Sequence, residues 1–140
     1  MVTSCLFCRI VAGDEPATIV SESDATVAFL DHRPLFPGHT LVIPRVHIET
    51  LRDLPPGDVG PYFAEVKRLA VAVQDGLDAQ GTFVAENNVI SQSVPHLHVH
   101  VVPRRRKDGL RGFFWPRGRY SGPEEMDEVA ARIRSALPAP

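Results

Sequence analysis

The chain has 140 residues, 44 % of them apolar and 23 % charged, with a formal net charge of −2. That is enough material for one domain with its own core, and the near-neutral balance gives no global drive toward nucleic acid or an anionic membrane. No apolar run approaches the about 18 residues that span a bilayer, and the N-terminus shows no charged-then-apolar leader, so a cytoplasmic protein is expected.

In chain order, Leu6 to Ala12 reads as a short helical turn stopped by Gly13. The only two cysteines, Cys5 and Cys8, flank its start. Two are too few for a disulfide framework, and the C-x-x-C spacing suits half of a zinc site or, more weakly, a redox pair. A thioredoxin-like motif follows a strand, and nothing before Cys5 can be that strand. Residues 18–21 and 25–30 are β-rich and flank the turn Glu22-Ser23-Asp24. Pro34, Pro37 and Gly38 make a loop, and Thr40 to Ile43 reads as a buried strand ended by Pro44. Apolar residues at 59, 62, 63, 66, 69, 70, 73 and 77 follow helical spacing, with Pro61 near the start and Gly81 past the end. Thr82 to Glu86 is a short strand, residues 87–93 form a polar loop, and a further strand runs from about 95 to 103. Met126, Val129, Ala130, Ile133 and Leu137 mark a C-terminal amphipathic helix opened by Ser121-Gly122-Pro123-Glu124 as a capping box. The sum is an α+β domain, a mainly antiparallel sheet with one long helix packed on it.

The strand at 95–103 carries the chemistry. His96, His98 and His100 occupy alternate positions, and they are three of the chain's six histidines. With a rise of about 3.3 Å per residue, their rings leave one face at spacings of roughly 6.6 Å. The outer two are therefore about 13 Å apart at the backbone, too far for one ion with donors at about 2.0–2.1 Å. Dividing the roles fits better than one metal or a polar face without function. A central histidine attacks an electrophile that its neighbours hold, and a phosphoryl group wants several donors because its charge spreads over the non-bridging oxygens. His98 is then the nucleophile, with its other ring nitrogen tied to an acceptor, and His100 donates to the phosphate. Gln92 and Ser93 supply further donors nearby. No metal is needed for this chemistry.

The run Gln92-Ser93-Val94-Pro95-His96-Leu97-His98-Val99-His100-Val101-Val102 resembles the signature of the histidine triad (HIT) superfamily. Phe29-Leu30-Asp31, the block Pro37 to His47 and the opening Cys5 to Gly13 resemble the same family, so the likeness covers residues 5 to 104. It implies a HIT domain with a core of about 5–104 and an extension of 105–140 in a single domain of 1–140. It also implies a nucleotide hydrolase that cleaves at the α-phosphate through a nucleotidyl-histidine intermediate and releases the monophosphate. Purine nucleoside phosphoramidates, dinucleoside polyphosphates or similar adenylates are the implied substrates. Rival readings are a nucleotide-binding module with little turnover and a phosphorylase.

Residue by residue, the resemblance makes His98 the nucleophile, held through its second nitrogen by the carbonyl of His96, with His100 and Ser93 on the phosphate. Asp31 faces the ribose hydroxyls, the alternative being a turn residue. Phe7 and Ile10 match apolar residues near the base, a role in the helix core being equally open. Asn87 or Asn88 approaches the phosphate from the loop, which carries Ser91 where relatives have glycine. His39 is read as structural. Relatives also carry a zinc on C-x-x-C plus two histidines, here Cys5, Cys8, His47 and His96, a closed and therefore structural set. Arg104 to Lys107 is either a solvated loop or a rim that attracts polyphosphate or an acidic partner. Phe113, Phe114 and Trp115 are too apolar for a free tail and are expected at a homodimer interface or near the nucleotide of the partner subunit.

Overall fold

The computed structural model describes residues 4–111 and 116–140, so Phe113, Phe114 and Trp115 lie outside the described residues. Two compact units divide the chain, Met1–Asp108 and Gly109–Pro140. The first holds helix α1 (Leu6–Ala12), strands β1 (Ile19–Glu22), β2 (Thr26–Leu30) and β3 (Thr40–Pro44), helix α2 (Pro56–Gly76), and strands β4 (Gly81–Glu86) and β5 (Val99–Arg104). The second holds α3 (Pro123–Ala136).

One antiparallel sheet in the order β1-β2-β3-β5-β4 organises the first unit, confirming the α+β class. Period-two alternation sends Ala28, Val42, Val99 and Val101 to one face, where Tyr62, Val66, Leu69 and Val73 of α2 pack on them with Leu97. Val27, Phe29, Leu41 and Ile43 go to the other face and meet Cys5, Phe7 and Cys8 of the α1 segment. Because both faces are covered, β2 and β3 are apolar runs rather than alternating ones. Tyr62 adds a tie across the layers, donating its hydroxyl to the Val42 carbonyl at 2.6 Å.

Several boundaries differ from the sequence expectation. α2 begins at Pro56, not near Pro61, which lies inside it. Pro61 removes only the bond to the carbonyl of Gly57, an exposed group that water can serve. Gly81 does not end the helix but opens β4; the turn is made at Leu77 and at Asp78, with φ 52°. The histidine strand begins only at Val99, since Val42 opposite Val99 is the last pair with β3. Before it, Leu97 donates to the Ile48 carbonyl (2.6 Å) and His96 to that of Val94 (2.8 Å), so the chain leaves the ladder. At α3 the N-cap is Gly122, and the Glu125 carboxylate, not Glu124, accepts from the Ser121 amide. Arg104 clamps Asp108 at 2.6 and 3.1 Å, and Arg105 donates to the Leu77 carbonyl at the end of α2.

The loop from 87 to 93 is strained. Val89 (φ 69°) and Ser91 (φ 62°) both sit in the left-handed region, where glycine has no penalty. Val89→Gly should raise stability by about 1 kcal/mol, less the entropy that glycine adds to the unfolded chain. An increased urea midpoint with unchanged slope is the expected result, and a lower midpoint would contradict it.

Candidate active site

A cleft of about 850 Å³ opens on the α1 side of the sheet. Leu6, Phe7 and Ile10 of α1, Ala17, and Phe29 and Leu41 of the sheet form an apolar wall; Asp31, Ser93, His98 and His100 form the polar end. Phe7 stands edge-on to His98, with ring centroids 5.1 Å apart and an 88° interplanar angle, and packs on Phe29 at 5.3 Å. Asn87, Asn88 and Gln92 are not among the lining residues. Asn88 accepts from the Leu51 amide (2.8 Å), and Gln92 donates to the Glu49 carbonyl (2.6 Å) while accepting from Val89 (2.9 Å). The amides of Asn88 and Gln92 thus brace the strained loop, and Asn87 donates to the Ser91 carbonyl at 3.4 Å.

The hydrogen bonds at the polar end settle where each proton sits. A carbonyl can only accept, so His98 Nδ1, 2.7 Å from the His96 carbonyl, carries the hydrogen and Nε2 keeps its lone pair. A backbone amide can only donate, so His39 Nδ1, 3.1 Å from the Leu35 nitrogen, is an acceptor. The proton of neutral His39 is then on Nε2, directed at His100 Nδ1 2.9 Å away. That leaves His100 with its hydrogen on Nε2. Two rings 5.0 Å apart thus have opposite polarity, a lone pair on His98 and a donor on His100. Burial, with His98 and His39 adding to it, pushes His100 down to about 4, so it is neutral at pH 7. Burial also lowers His39, against the opposing pull of Asp31.

Asp31 accepts from the Arg33 amide at 2.9 Å through Oδ1 and lies 3.7 Å from His39 Nε2 through Oδ2. Asp31, His39 and His100 cluster closely enough for an ion. The Leu35 amide opposes that use, because it holds the His39 Nε2 proton in the way of a ligand bond. His39, read as structural from the sequence, bonds directly to a ring of the cleft. Its link to His100 exists because Leu41, two residues on, pairs with His100 across β3 and β5, a register that spacing along one chain does not display.

The side chain of His96 is directed elsewhere. Its Nε2 is 2.8 Å from the Pro44 carbonyl and so is protonated, and its Nδ1 faces the sulfurs of Cys5 and Cys8, each at 3.6 Å. His47 Nδ1 is 3.3 Å from Cys8 Sγ. His96 therefore groups by its ring with Cys5, Cys8 and His47, and reaches His98 by its carbonyl. For a tetrahedral zinc with bonds of about 2.3 Å to sulfur and about 2.0–2.1 Å to nitrogen, the sulfur–nitrogen edge is about 3.6 Å. The observed edges of 3.3 and 3.6 Å fit that ion. So do the outer partners, Pro44 on His96 and Glu49 on His47 (3.9 Å), which orient the ligating rings. Burial holds His96 at about 4, keeping its lone pair available. Cys5 and Cys8 are both buried, which closes the set.

Comparison with known proteins agrees with this architecture. A HIT domain matches residues 12–107. A crystal structure of a HIT family member from Bacillus subtilis is 34 % identical, with a TM-score of 0.88 over 98 % of this chain and 99 % of that one. A zinc-bound histidine triad family protein from Mycobacterium smegmatis is 40 % identical, with a TM-score of 0.73 over 96 % and 98 % of the two chains. An adenosine 5′-monophosphoramidase of Schizosaccharomyces pombe is 31 % identical over 134 residues, 96 % of this chain and 98 % of that protein. Matched by the HIT domain over most of its length and by HIT proteins in sequence and structure, the chain belongs to the HIT family.

Proposed function

We propose that the protein is a nucleotide hydrolase that transfers a nucleoside monophosphate to His98 and releases it to water. The observation that carries the reading is the pair of neighbouring imidazoles with opposite, hydrogen-bond-enforced tautomers at the polar end of a cleft with an apolar wall. A flat base lies against Phe7 and Ile10, and Asp31 accepts from the ribose hydroxyls. The α-phosphorus then meets His98 Nε2. As the nitrogen–phosphorus bond forms and the bond to the leaving group breaks, the Nδ1 proton stays on the imidazolium and the His96 carbonyl stabilises it. His100 Nε2–H and the Ser93 hydroxyl donate to the phosphate oxygens. Water attacks the nucleotidyl-histidine, giving the monophosphate and free His98. The monophosphoramidase relative supports an adenosine phosphoramidate as the test substrate.

Zinc held by Cys5, Cys8, His47 and His96 would supply folding stability and make no contact with the phosphoryl group. The reading includes a cytoplasmic homodimer: β4 is an edge strand with Val84 exposed, and α2 exposes Phe63. No described helix is long and apolar enough to cross a membrane.

Intact-protein mass spectrometry after a brief, acid-free quench with adenosine phosphoramidate should show one added adenylyl mass. His98→Ala should lose the adduct and at least about 10³-fold in turnover while still binding the monophosphate; full activity in that variant would refute the mechanism. His39→Ala should lower kcat roughly tenfold to a hundredfold, because His100 is then free to turn a lone pair toward the phosphate oxygens. An unchanged kcat would remove His39 from the site. His100 titrates about 4 when folded and near the ordinary value of 6.5 when unfolded. Between those values the unfolded chain binds the extra proton, so stability falls as pH drops through that window. Between pH 7 and 5 the urea midpoint of the wild type should therefore fall further than that of His100→Gln; equal losses would contradict the assignment.

A further inference from the structure

We propose that His96 couples the Cys5–Cys8–His47–His96 cluster to the nucleophile, so that metal occupancy of the cluster sets the reactivity of His98. This rests on the proposed role of His98.

Two physical routes join the centres. The first runs through one residue. The His96 ring, fully buried, is fixed on Nε2 by Pro44 and directed by Nδ1 at both sulfurs. Its own carbonyl accepts the Nδ1 proton of His98 at 2.7 Å. The peptide that selects the nucleophile's tautomer is thus anchored by a ring whose second tether is the metal set. Without an ion, that tether is reduced to weak thiol hydrogen bonds at 3.6 Å. Outside the β5 ladder, the same peptide is otherwise held by the Leu97 amide on the Ile48 carbonyl (2.6 Å), which fixes its far side and leaves the His96 ring to set the direction of the carbonyl.

The second route runs through α1. Cys5 caps that helix, accepting from the Cys8 amide, and Cys8 lies on its first turn. Between them Phe7 stands edge-on to His98 at 5.1 Å and to His96 at 5.9 Å. With only seven residues α1 is too short to be stable alone, so its placement depends on this packing and on its two sulfurs. An ion held by both cysteines and both histidines fixes Phe7 against His98, and its loss releases the ring and the carbonyl together. His96 is a positioning residue in this account, as are the cysteines.

The test uses the full chain, its zinc removed with a chelator and folding followed by circular dichroism. Zinc alone is then added back. Long-range nitrogen–proton NMR reads the His98 tautomer without reference to turnover. With zinc, His98 should be a single Nδ1–H tautomer. Without it the ring should exchange between tautomers and kcat should fall about tenfold or more, with KM for the phosphoramidate within about twofold, and zinc should reverse both. A metal-free, folded chain with the same His98 spectrum and the same kcat would overturn the proposal, as would failure of the chain to take up zinc. If zinc removal unfolds the chain, exchange for cadmium replaces it: its longer bonds must shift the His98 ring nitrogens and kcat, and identical values would overturn the coupling. Absence of turnover in every form would refute the hydrolase reading, while the His98 spectra would still decide the coupling.

Discussion

Everything at this site follows from burying alternate histidines in a sheet that is covered on both faces. Leu97, Val99 and Val101 enter the core under α2, which commits His96, His98 and His100 to the opposite side. A buried ring nitrogen without a partner costs about 1–3 kcal/mol, so each histidine must find one. His96 takes the Pro44 carbonyl, His98 the carbonyl of His96, and His100 the ring of His39. The two carbonyls can only accept, and the Leu35 amide on Nδ1 makes His39 Nε2 the donor, so each bond also decides a tautomer. Polarity at this end of the cleft is thus a consequence of satisfying the core.

The same geometry separates two kinds of chemistry that the alternation alone leaves merged. His96 precedes β5, where the chain turns off the ladder, and its ring meets two sulfurs and a second histidine in a closed set. His98 and His100 face the cleft, beside Asp31 and Ser93. A closed tetrahedral set has no position for substrate, and at the cleft end the Leu35 amide keeps the proton of neutral His39 on Nε2. The Cys5–Cys8–His47–His96 cluster and the polar end of the cleft therefore sit back to back, joined by the peptide of His96 and by Phe7.

Much of this was legible in the sequence because burial leaves a mark on residue type. The alternation of residues 96 to 101 carried the face assignment, and Gly13 the end of α1, where its φ of 82° closes the helix. The C-x-x-C pair needed its two histidines supplied by resemblance, since partners 39 and 91 residues away leave no local signal. What escaped reading was set by tertiary contacts. The start of β5 depends on where β3 runs out of partners. The role of His39 depends on strand register. The amides of Asn88 and Gln92 are polar and near the motif, as a ligand's would be, yet they serve a loop that bends through Val89 and Ser91 without glycine. α2 was recognised by its apolar spacing and misplaced at its ends, because prolines and glycines occur on both sides of each boundary.

The central claim is that the bond at the α-phosphorus is broken by His98 and not directly by water. The stereochemical course at phosphorus tests it most directly. A single diastereomer of an adenosine thiophosphoramidate, hydrolysed in water labelled with heavy oxygen, yields a chiral monophosphorothioate. Attack by His98 followed by attack of water inverts the centre twice, and retention of configuration is the predicted result. Inversion would mean a single displacement by water, and would contradict the account.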